Sequence, residues 1–163
     1  MLVKLKLNNN KNKGFTLVEI TIAIAVMTIG IVGSYAVVPM MIRNQTVNID
    51  MFTASQLAHE GLEITRNIRD TNWLSDLTWK TGLLACSSGC EIDYNDAGFS
   101  SFQNRFLQVD TNGFFNYGSG TPSKFKRKVI IQEQGDALNV RVQVLWNGKG
   151  SPFEAVENFY DWR

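Results

Sequence analysis

The sequence predicts an α+β protein in which a long N-terminal helix packs on a small antiparallel β-sheet head. Residues 20–42 form a run of 23 uncharged, mostly apolar residues. From Val47 onward, apolar and small residues recur at steps of three and four, as on a helix with one buried face. After Asp70 the pattern changes to alternating strands separated by turn residues. We therefore expect a helix whose first half spans a membrane and whose second half is amphipathic.

The composition sets bounds on the function. A chain of 163 residues with 44% hydrophobic and 19% charged residues has the size and core material of about one domain. The 16 Lys and Arg against 15 Asp and Glu give a formal net charge of +1, which produces no bulk field for a polyanion. One His and two Cys leave little material for a metal site or a His-based catalytic centre. We expect no enzymatic activity, no metal and no cofactor.

The uncharged run is long enough to cross a bilayer. As a helix it would measure roughly 34 Å, against a hydrocarbon core of about 30 Å. Lys4, Lys6, Lys11 and Lys13 precede it, and Arg43 follows it. This excess of positive charge on the N-terminal side predicts a cytoplasmic N-terminus and an extracytoplasmic remainder.

Three interpretations of this N-terminus compete. A secretory signal would be cut after Ser34-Tyr35-Ala36, but apolar sequence continues past that point to Ile42. A plain membrane anchor leaves Glu19 unexplained, because a carboxylate inside the bilayer costs about 2.5 to 3.5 kcal/mol and normally indicates a partner or a task. The third interpretation gives that carboxylate both a partner and a task.

The third interpretation rests on a motif. The segment Lys13-Gly14-Phe15-Thr16-Leu17-Val18-Glu19-Ile20, followed by the apolar run, closely resembles the processing site of type IV prepilins and of type II secretion pseudopilins. The resemblance implies that a prepilin peptidase removes residues 1–14 by cutting between Gly14 and Phe15, and that the new amino group of Phe15 is methylated. It also implies that Glu19 is a determinant of methylation and of assembly. On the same helical face as Phe15, it would pair with the N-terminal ammonium of an adjacent subunit.

The resemblance implies a structural function. The chain would be a subunit of a type IV pilus or related filament that polymerises through its N-terminal helix. It would cross the cytoplasmic membrane once, with its head outside, and later stand in a cell-surface pilus or a periplasmic or extracellular pseudopilus. Its partners would be the prepilin peptidase/methyltransferase, other pilin subunits, the membrane assembly platform and the bilayer. The competing hypothesis is a membrane-anchored extracytoplasmic binding or catalytic domain that does not polymerise.

We predict a single helix over residues 15–70, about 84 Å long, with a kink where Pro39 removes a backbone donor. Such a helix resembles a pilin stalk. The alternative is a membrane helix and a separate amphipathic helix joined near Asn44 to Asn48.

The head, residues 71–163, is predicted to be β-rich. Lys128 to Glu133 alternates, Gln134-Gly135-Asp136 indicates a turn, and the next strand has a uniform apolar face: Leu138, Val140, Val142, Val144 and Trp146. A second hairpin is predicted from 106–109 and 114–117, and a last strand from 153–162. Trp73, Trp79, Trp146 and Trp162 are interpreted as core or subunit-contact residues.

Three segments, from the end of the predicted helix into the head, resemble a group of bacterial prepilin-like proteins related to minor pilins. They are residues 60–73, 92–94 and 125–128. This resemblance implies architecture rather than a specific activity.

Cys86 and Cys90 would lie outside the cytoplasm, where disulfides persist. We favour a structural bridge over free thiols or redox chemistry, since the spacing is C-x3-C rather than C-x-x-C. His59 is interpreted as a solvated or interfacial side chain, because no second His could complete a catalytic or metal site.

A basic cluster follows, comprising Lys124, Lys126, Arg127 and Lys128. It has two interpretations: a weak patch for nucleic acid or another polyanion, or a solvated strand edge protected against aberrant pairing. We favour the strand edge. Removal of the leader would leave 12 positive and 15 negative side chains, which does not favour polyanions.

Overall fold

The structure is a computed structural model that describes residues 14–161. The described chain divides between residues 44 and 45 into two compact units. The predicted leader, apart from Gly14, and Trp162 lie outside the described residues. The elements are a long helix α1 (Leu17–Leu74), a short 3₁₀ helix (Leu84–Cys86) and strands β1 (Cys90–Glu91), β2 (Ser100–Ser101), β3 (Gln108–Val109), β4 (Phe115–Asn116), β5 (Thr121–Pro122), β6 (Lys126–Gln134), β7 (Ala137–Leu145) and β8 (Phe153–Tyr160).

Helix α1 confirms the prediction of one long helix and corrects its ends. It begins two residues after Phe15 and ends four residues after Asp70. The alternative of two helices joined near residues 44–48 is wrong, because these residues are helical. Pro39 lies inside α1. The kink at Pro39 stays a prediction.

The end of α1 shifts because the loop that directly follows the helix holds its last turn. The Asn72 side chain is buried, and its amide nitrogen donates hydrogen bonds to the carbonyl oxygens of Trp79 at 3.2 Å and Thr81 at 2.8 Å. The buried Trp73 ring packs against Trp79, with centroids 6.4 Å apart. These partners lie beyond the helix in sequence, so helical periodicity could not indicate them.

The main sheet has five antiparallel strands in the order β2-β1-β6-β7-β8. The predicted hairpin is β6–β7, whose register runs without a break from Lys126↔Leu145 to Gln134↔Ala137. Gly135 and Asp136 form its two-residue loop. Gly135 has φ +62°, a conformation that favours glycine at the first position of a type II′ turn.

The second predicted hairpin is also present. Strand β3 pairs antiparallel with both β4 and β5 in a separate three-stranded sheet. Asp110 shapes the β3–β4 loop, since its Oδ1 accepts hydrogen bonds from the backbone N–H groups of Asn112 at 2.8 Å and Phe114 at 2.9 Å. The predicted last strand is β8, which ends at Tyr160.

The core of the second unit lies between the C-terminal half of α1 and one face of the main sheet. On β7, Val140, Val142 and Val144 are fully buried, as the alternation predicted. On α1 the buried apolar residues are Ala54, Leu57, Ala58 and Leu62. Gly61 marks the closest approach: a Cβ there would stand 2.9 Å from Val142 Cγ1 and 3.2 Å from Arg127 Cδ. Only glycine lets the helix and sheet meet at this point without a shift.

Candidate functional site

The candidate processing segment lies at the start of the described chain. Gly14 and Phe15 precede the first helical residue, and both are exposed, Phe15 by 79%. A Cβ on Gly14 would meet no atom within 4 Å, and its φ is not in the left-handed region. Nothing in the fold of the described residues therefore requires glycine at position 14. If glycine is required at position 14, as the processing motif predicts, the requirement would come from the peptidase that cuts this segment and not from the fold.

Thr16 caps the helix that follows. Its Oγ1 accepts a hydrogen bond from the Glu19 backbone N–H at 3.2 Å, and its carbonyl oxygen accepts the first helical bond from Ile20 at 3.2 Å. Thr16 and Glu19 thus occupy the N-cap and third helical positions, and the threonine hydroxyl satisfies one of the N–H groups that a helix leaves free at its start. This cap was not predicted from the sequence, although a T-x-x-E spacing before an apolar run is a signal for it.

Glu19 stands in the first turn of α1, where the helix dipole favours a negative charge. Among residues 14–161, no Lys or Arg forms an ion pair with its carboxylate. The neighbouring hydroxyl groups differ in this respect. Thr21, Thr28 and Ser34 each donate to a carbonyl oxygen three or four residues earlier, all at 2.8 Å. Between residues 17 and 44, the helix thus satisfies the hydroxyls of Thr21, Thr28 and Ser34 through its own carbonyl oxygens, whereas the Glu19 carboxylate has no ion pair among the described residues.

The first unit exposes its apolar side chains all round. Every residue from 14 to 46 is exposed. The large apolar residues of this stretch include Ile29 at 74% and Val32 at 70%. The helix is long and apolar enough to cross a membrane. Such a surface is stable in lipid or against other apolar helices, where its backbone and hydroxyl groups need no water.

The basic cluster does not form one surface. Arg127 is fully buried, in contrast with both interpretations made from the sequence. Its Nη1 donates to the Leu57 carbonyl oxygen at 3.1 Å, its Nη2 donates to the Ile92 carbonyl oxygen at 2.5 Å, and Glu60 lies 3.3 Å from Nη1. Because side chains alternate along a strand, Arg127 shares the inner face of β6 with Val129. This alternation was available in the sequence.

The predicted strand edge is also wrong, because β6 lies inside the sheet between β1 and β7. The three lysines have separate partners. Lys124 pairs with Asp50 of α1 at 2.5 Å. Lys126 donates to Asn104 at 3.1 Å and lies 4.4 Å above the Phe106 ring, whereas Lys128 lies 5.2 Å from the Phe102 ring. A polyanion patch made of all four residues does not exist in this fold.

Cys86 and Cys90 form a disulfide with an S–S distance of 2.05 Å. The bridge closes a loop between the 3₁₀ helix and β1, and both cysteines are buried. His59 is exposed on α1. Among residues 14–161, no cluster of three or more His, Cys, Asp and Glu side chains is placed to hold a metal ion.

A polar cavity of about 370 Å³ lies between the two sheets and includes Asp93, Arg105, Asp110 and Tyr117 in its lining. Its acidic groups have internal partners: the Asp93 carboxylate accepts from the Tyr117 backbone N–H at 2.7 Å. Backbone N–H groups, chiefly that of Phe114, hold the pKa of Asp110 below its ordinary value. Burial raises the pKa of Tyr117 to about 12. These contacts stabilise loops and present no arrangement of nucleophile and base.

A family model matches the N-terminal segment. Residues 9–35 match the prokaryotic N-terminal methylation motif. This motif is the signature of type IV prepilins and pseudopilins, and the matched range contains Gly14, Phe15 and Glu19. Searches of curated proteins and of solved structures found no match. The resemblance of residues 60–73, 92–94 and 125–128 to prepilin-like proteins therefore stays a prediction.

Proposed function

We propose that this chain is a structural subunit of a type IV pilus or a related filament, processed after Gly14, methylated on Phe15 and polymerised through its N-terminal helix. The observation that carries the proposal is the methylation motif, which supports a processed and methylated pilin-like subunit. Proteins of this type are structural rather than catalytic. The proposal divides the chain into a leader (1–14), a transmembrane and stalk helix (15–70) and an extracytoplasmic head (71–163).

The cleavage step follows from the local geometry. Gly14 and Phe15 lie ahead of the Thr16 cap, so the scissile peptide is outside the helix and its backbone is accessible to a peptidase. Hydrolysis would add water across the Gly14–Phe15 peptide bond and leave residues 15–163 with a free amino group on Phe15. The methyltransferase would then transfer one methyl group from its own methyl donor to that nitrogen, which gives up a proton in exchange. Prepilin peptidase/methyltransferase is thus the first proposed partner.

The assembly step follows from the uncompensated carboxylate. A charged Glu19 in the bilayer is costly, and the new ammonium of Phe15 is equally costly there. Pairing Glu19 with the Phe15 ammonium of a neighbouring subunit removes both costs when the apolar helices pack together. The bilayer holds the subunit before assembly, and other pilin subunits with the assembly platform replace it afterwards.

The first experiment is the intact mass and N-terminal sequence of the chain recovered from its native envelope. The proposal expects a chain of 149 residues that begins with methylated Phe15. Gly14→Leu should abolish the cut. Gly30→Ala is the matched control, because a Cβ there also meets nothing within 4 Å. An N-terminus at Val37 would indicate simple secretion instead, and an intact Met1 would indicate a plain membrane anchor.

A second experiment separates a filament subunit from an anchored domain that does not polymerise. Glu19→Gln keeps the shape of the side chain and removes its charge, so we expect processing to continue and filament assembly to fail. Thr21→Val is the matched control, since the Thr21 hydroxyl bonds only within its own helix in the described structure. Recovery of normal filaments from Glu19→Gln cells would refute the assembly step.

A further inference from the structure

Two Asn-Gly pairs occur in the sequence, and the fold holds them differently. Asn112-Gly113 lies in the loop between β3 and β4, and Asn147-Gly148 lies in the loop between β7 and β8. All four residues are exposed. A glycine after an asparagine favours attack of the backbone nitrogen on the side-chain amide, because glycine has no Cβ to shield that nitrogen. Each pair is therefore a chemical candidate for loss of the amide.

The β3–β4 loop holds the first pair in place. The Gly113 N–H donates to the Asp110 carbonyl oxygen at 3.1 Å. The Asp110 carboxylate also accepts the backbone N–H groups of Asn112 and Phe114, so three hydrogen bonds to one residue restrain the loop. The Gly113 nitrogen can attack Asn112 only after its own bond breaks. Reaction at Asn112 thus requires local opening of the loop.

The β7–β8 loop leaves the second pair without such bonds. Among residues 14–161, the Gly148 N–H meets no hydrogen-bond acceptor, and the Asn147 side-chain amide forms no hydrogen bond. The Trp146 N–H donates to Ser151 Oγ at 3.0 Å and closes the base of the loop. The pair lies inside the loop that this bond closes. Reaction at Asn147 therefore needs no hydrogen bond of the pair to break.

Packing keeps glycine at position 148. A Cβ there would stand 2.9 Å from Trp146 Nε1 and 3.0 Å from Trp146 Cδ1. Because the Trp146 ring is buried in the core, it cannot withdraw to make room for a side chain. At Gly113, by contrast, a Cβ would meet no atom within 4 Å. The core thus retains the residue that makes Asn147 reactive.

We propose that Asn147 is a site of spontaneous deamidation in the folded chain. The Gly148 nitrogen gives its proton to the solvent and forms a bond to the Asn147 Cγ. The Cγ–Nδ2 bond then breaks, and the amide nitrogen takes up a proton and leaves as ammonia. Water opens the resulting succinimide at either of its carbonyl carbons, which gives aspartate or isoaspartate at position 147. The reaction consumes water and releases ammonia, and it needs neither an oxidant nor an enzyme.

The reaction changes the charge of a cavity in the head. Asn147 lines a cavity of about 330 Å³ together with Asn104, Phe106, Lys126 and Ser151. The new carboxylate places a negative charge in the lining that also contains the Lys126 ammonium. The isoaspartate product adds one carbon to the backbone of the loop that connects β7 to β8. Both products therefore alter the head at this loop.

The test is mass spectrometry of the full-length chain after it has aged in mild detergent at slightly alkaline pH. Trypsin cleaves after Lys and Arg and separates the two pairs, because Asn147 falls in residues 142–149 and Asn112 in residues 106–124. Each deamidation adds about 1 Da to its peptide. We expect Asn147 to react about tenfold faster than Asn112. A tenfold difference corresponds to about 1.4 kcal/mol, close to the net value of one hydrogen bond.

Three controls separate the fold from the dipeptide. In concentrated urea the two rates should converge, because the bonds to Asp110 are lost. Asp110→Ala should speed the reaction at Asn112 in the folded chain and leave Asn147 unchanged. Asn147→Gln should abolish the mass gain of residues 142–149, since glutamine forms the corresponding ring far more slowly.

Two outcomes would overturn the proposal. One is a rate at Asn147 equal to or below that at Asn112 in a chain whose tryptophan fluorescence shows it to be folded. The other is a tenfold difference that persists in urea, because the sequence and not the fold would then set the rates.

The reaction is independent of the proposed filament function, because it uses head residues alone. A Gly14→Leu chain, which should stay unprocessed, should deamidate at Asn147 at the same rate as the processed chain. An unreactive Asn147 in a correctly processed chain would refute the modification alone. A reactive Asn147 in a native chain that is never processed would refute the filament proposal alone.

Discussion

Replacing Arg127 with methionine tests whether the buried guanidinium holds the helix and the sheet together. Methionine retains much of the volume of the arginine stem and removes both hydrogen bonds and the charge. The Arg127 side chain is fully buried and bonds the carbonyl oxygens of Leu57 and Ile92. These two residues belong to α1 and to the segment after β1, so one side chain joins three parts of the second unit.

The two carbonyls contribute unequally. Leu57 lies in the interior of α1, where its carbonyl also accepts the helical N–H four residues later, so losing Arg127 removes a second bond worth about 1 kcal/mol. Ile92 lies outside helix and strand, and its carbonyl accepts from a charged donor at 2.5 Å. Losing that bond costs about 1.5 to 3 kcal/mol.

Two effects modify this sum. Glu60 is one-third exposed, so water solvates its carboxylate when the cation is removed. Methionine also removes the Arg127 Nε, which is buried without a hydrogen-bond partner, and so relieves a desolvation cost. We therefore expect the free energy of unfolding to fall by about 2 to 4 kcal/mol, a large part of the typical stability of a domain.

The assay is urea unfolding of the full-length chain in detergent, followed by tryptophan fluorescence, because Trp73, Trp79 and Trp146 are buried. The matched control is Lys126→Met, one residue away on the opposite face of β6, which should change the free energy of unfolding by less than about 1 kcal/mol. If Arg127→Met were no more destabilising than Lys126→Met, the clamp would be refuted. A more stable Arg127→Met would show that desolvation of the guanidinium outweighs its bonds.

Three further predictions concern the same head, each measured by the same unfolding assay. Gly61→Ala should lower the free energy of unfolding by about 1 to 3 kcal/mol through overpacking, whereas Gly98→Ala, where a Cβ meets nothing within 4 Å, should change it little. Burial raises the pKa of Tyr117 to about 12, above its ordinary value of 10, so its protonated form stabilises the fold fully below pH 10. About 2 to 3 kcal/mol of the free energy of unfolding should be lost between pH 10 and pH 12. Tyr117→Phe should remove this pH dependence, and an unchanged pH dependence would contradict the assignment to Tyr117. The double variant Cys86→Ser, Cys90→Ser should lose only about 2 kcal/mol because the bridge closes a short loop, and failure of this variant to fold would mean that the bridge does more than restrain the loop.

The prediction of the strands succeeded where local pattern and burial coincide. The buried face of β7 was readable because four alternate positions of the strand are apolar, as is Trp146 directly after it, and because the Gly135-Asp136 loop fixes the register. The prediction for β6 failed at Arg127, where charge was taken as a sign of exposure. Arg127 alternates with Lys128 and so lies on the same face of β6 as Val129, which indicated burial. The carbonyl oxygens that accept its hydrogen bonds when it is buried belong to Ile92 and Leu57, which are 35 and 70 positions away in sequence.

The sequence by itself determined the N-terminal half of the proposed mechanism. A processing motif, an apolar run and a helix cap act through neighbouring residues, so Gly14, Phe15 and Glu19 can be identified without a fold. Tertiary structure alone decided the contacts of the head, such as the bonds from Arg127 to Leu57 and Ile92 and the position of β8 at one edge of the main sheet. These depend on groups distant in sequence that meet only when the sheet closes on the helix, and no local pattern encodes that distance.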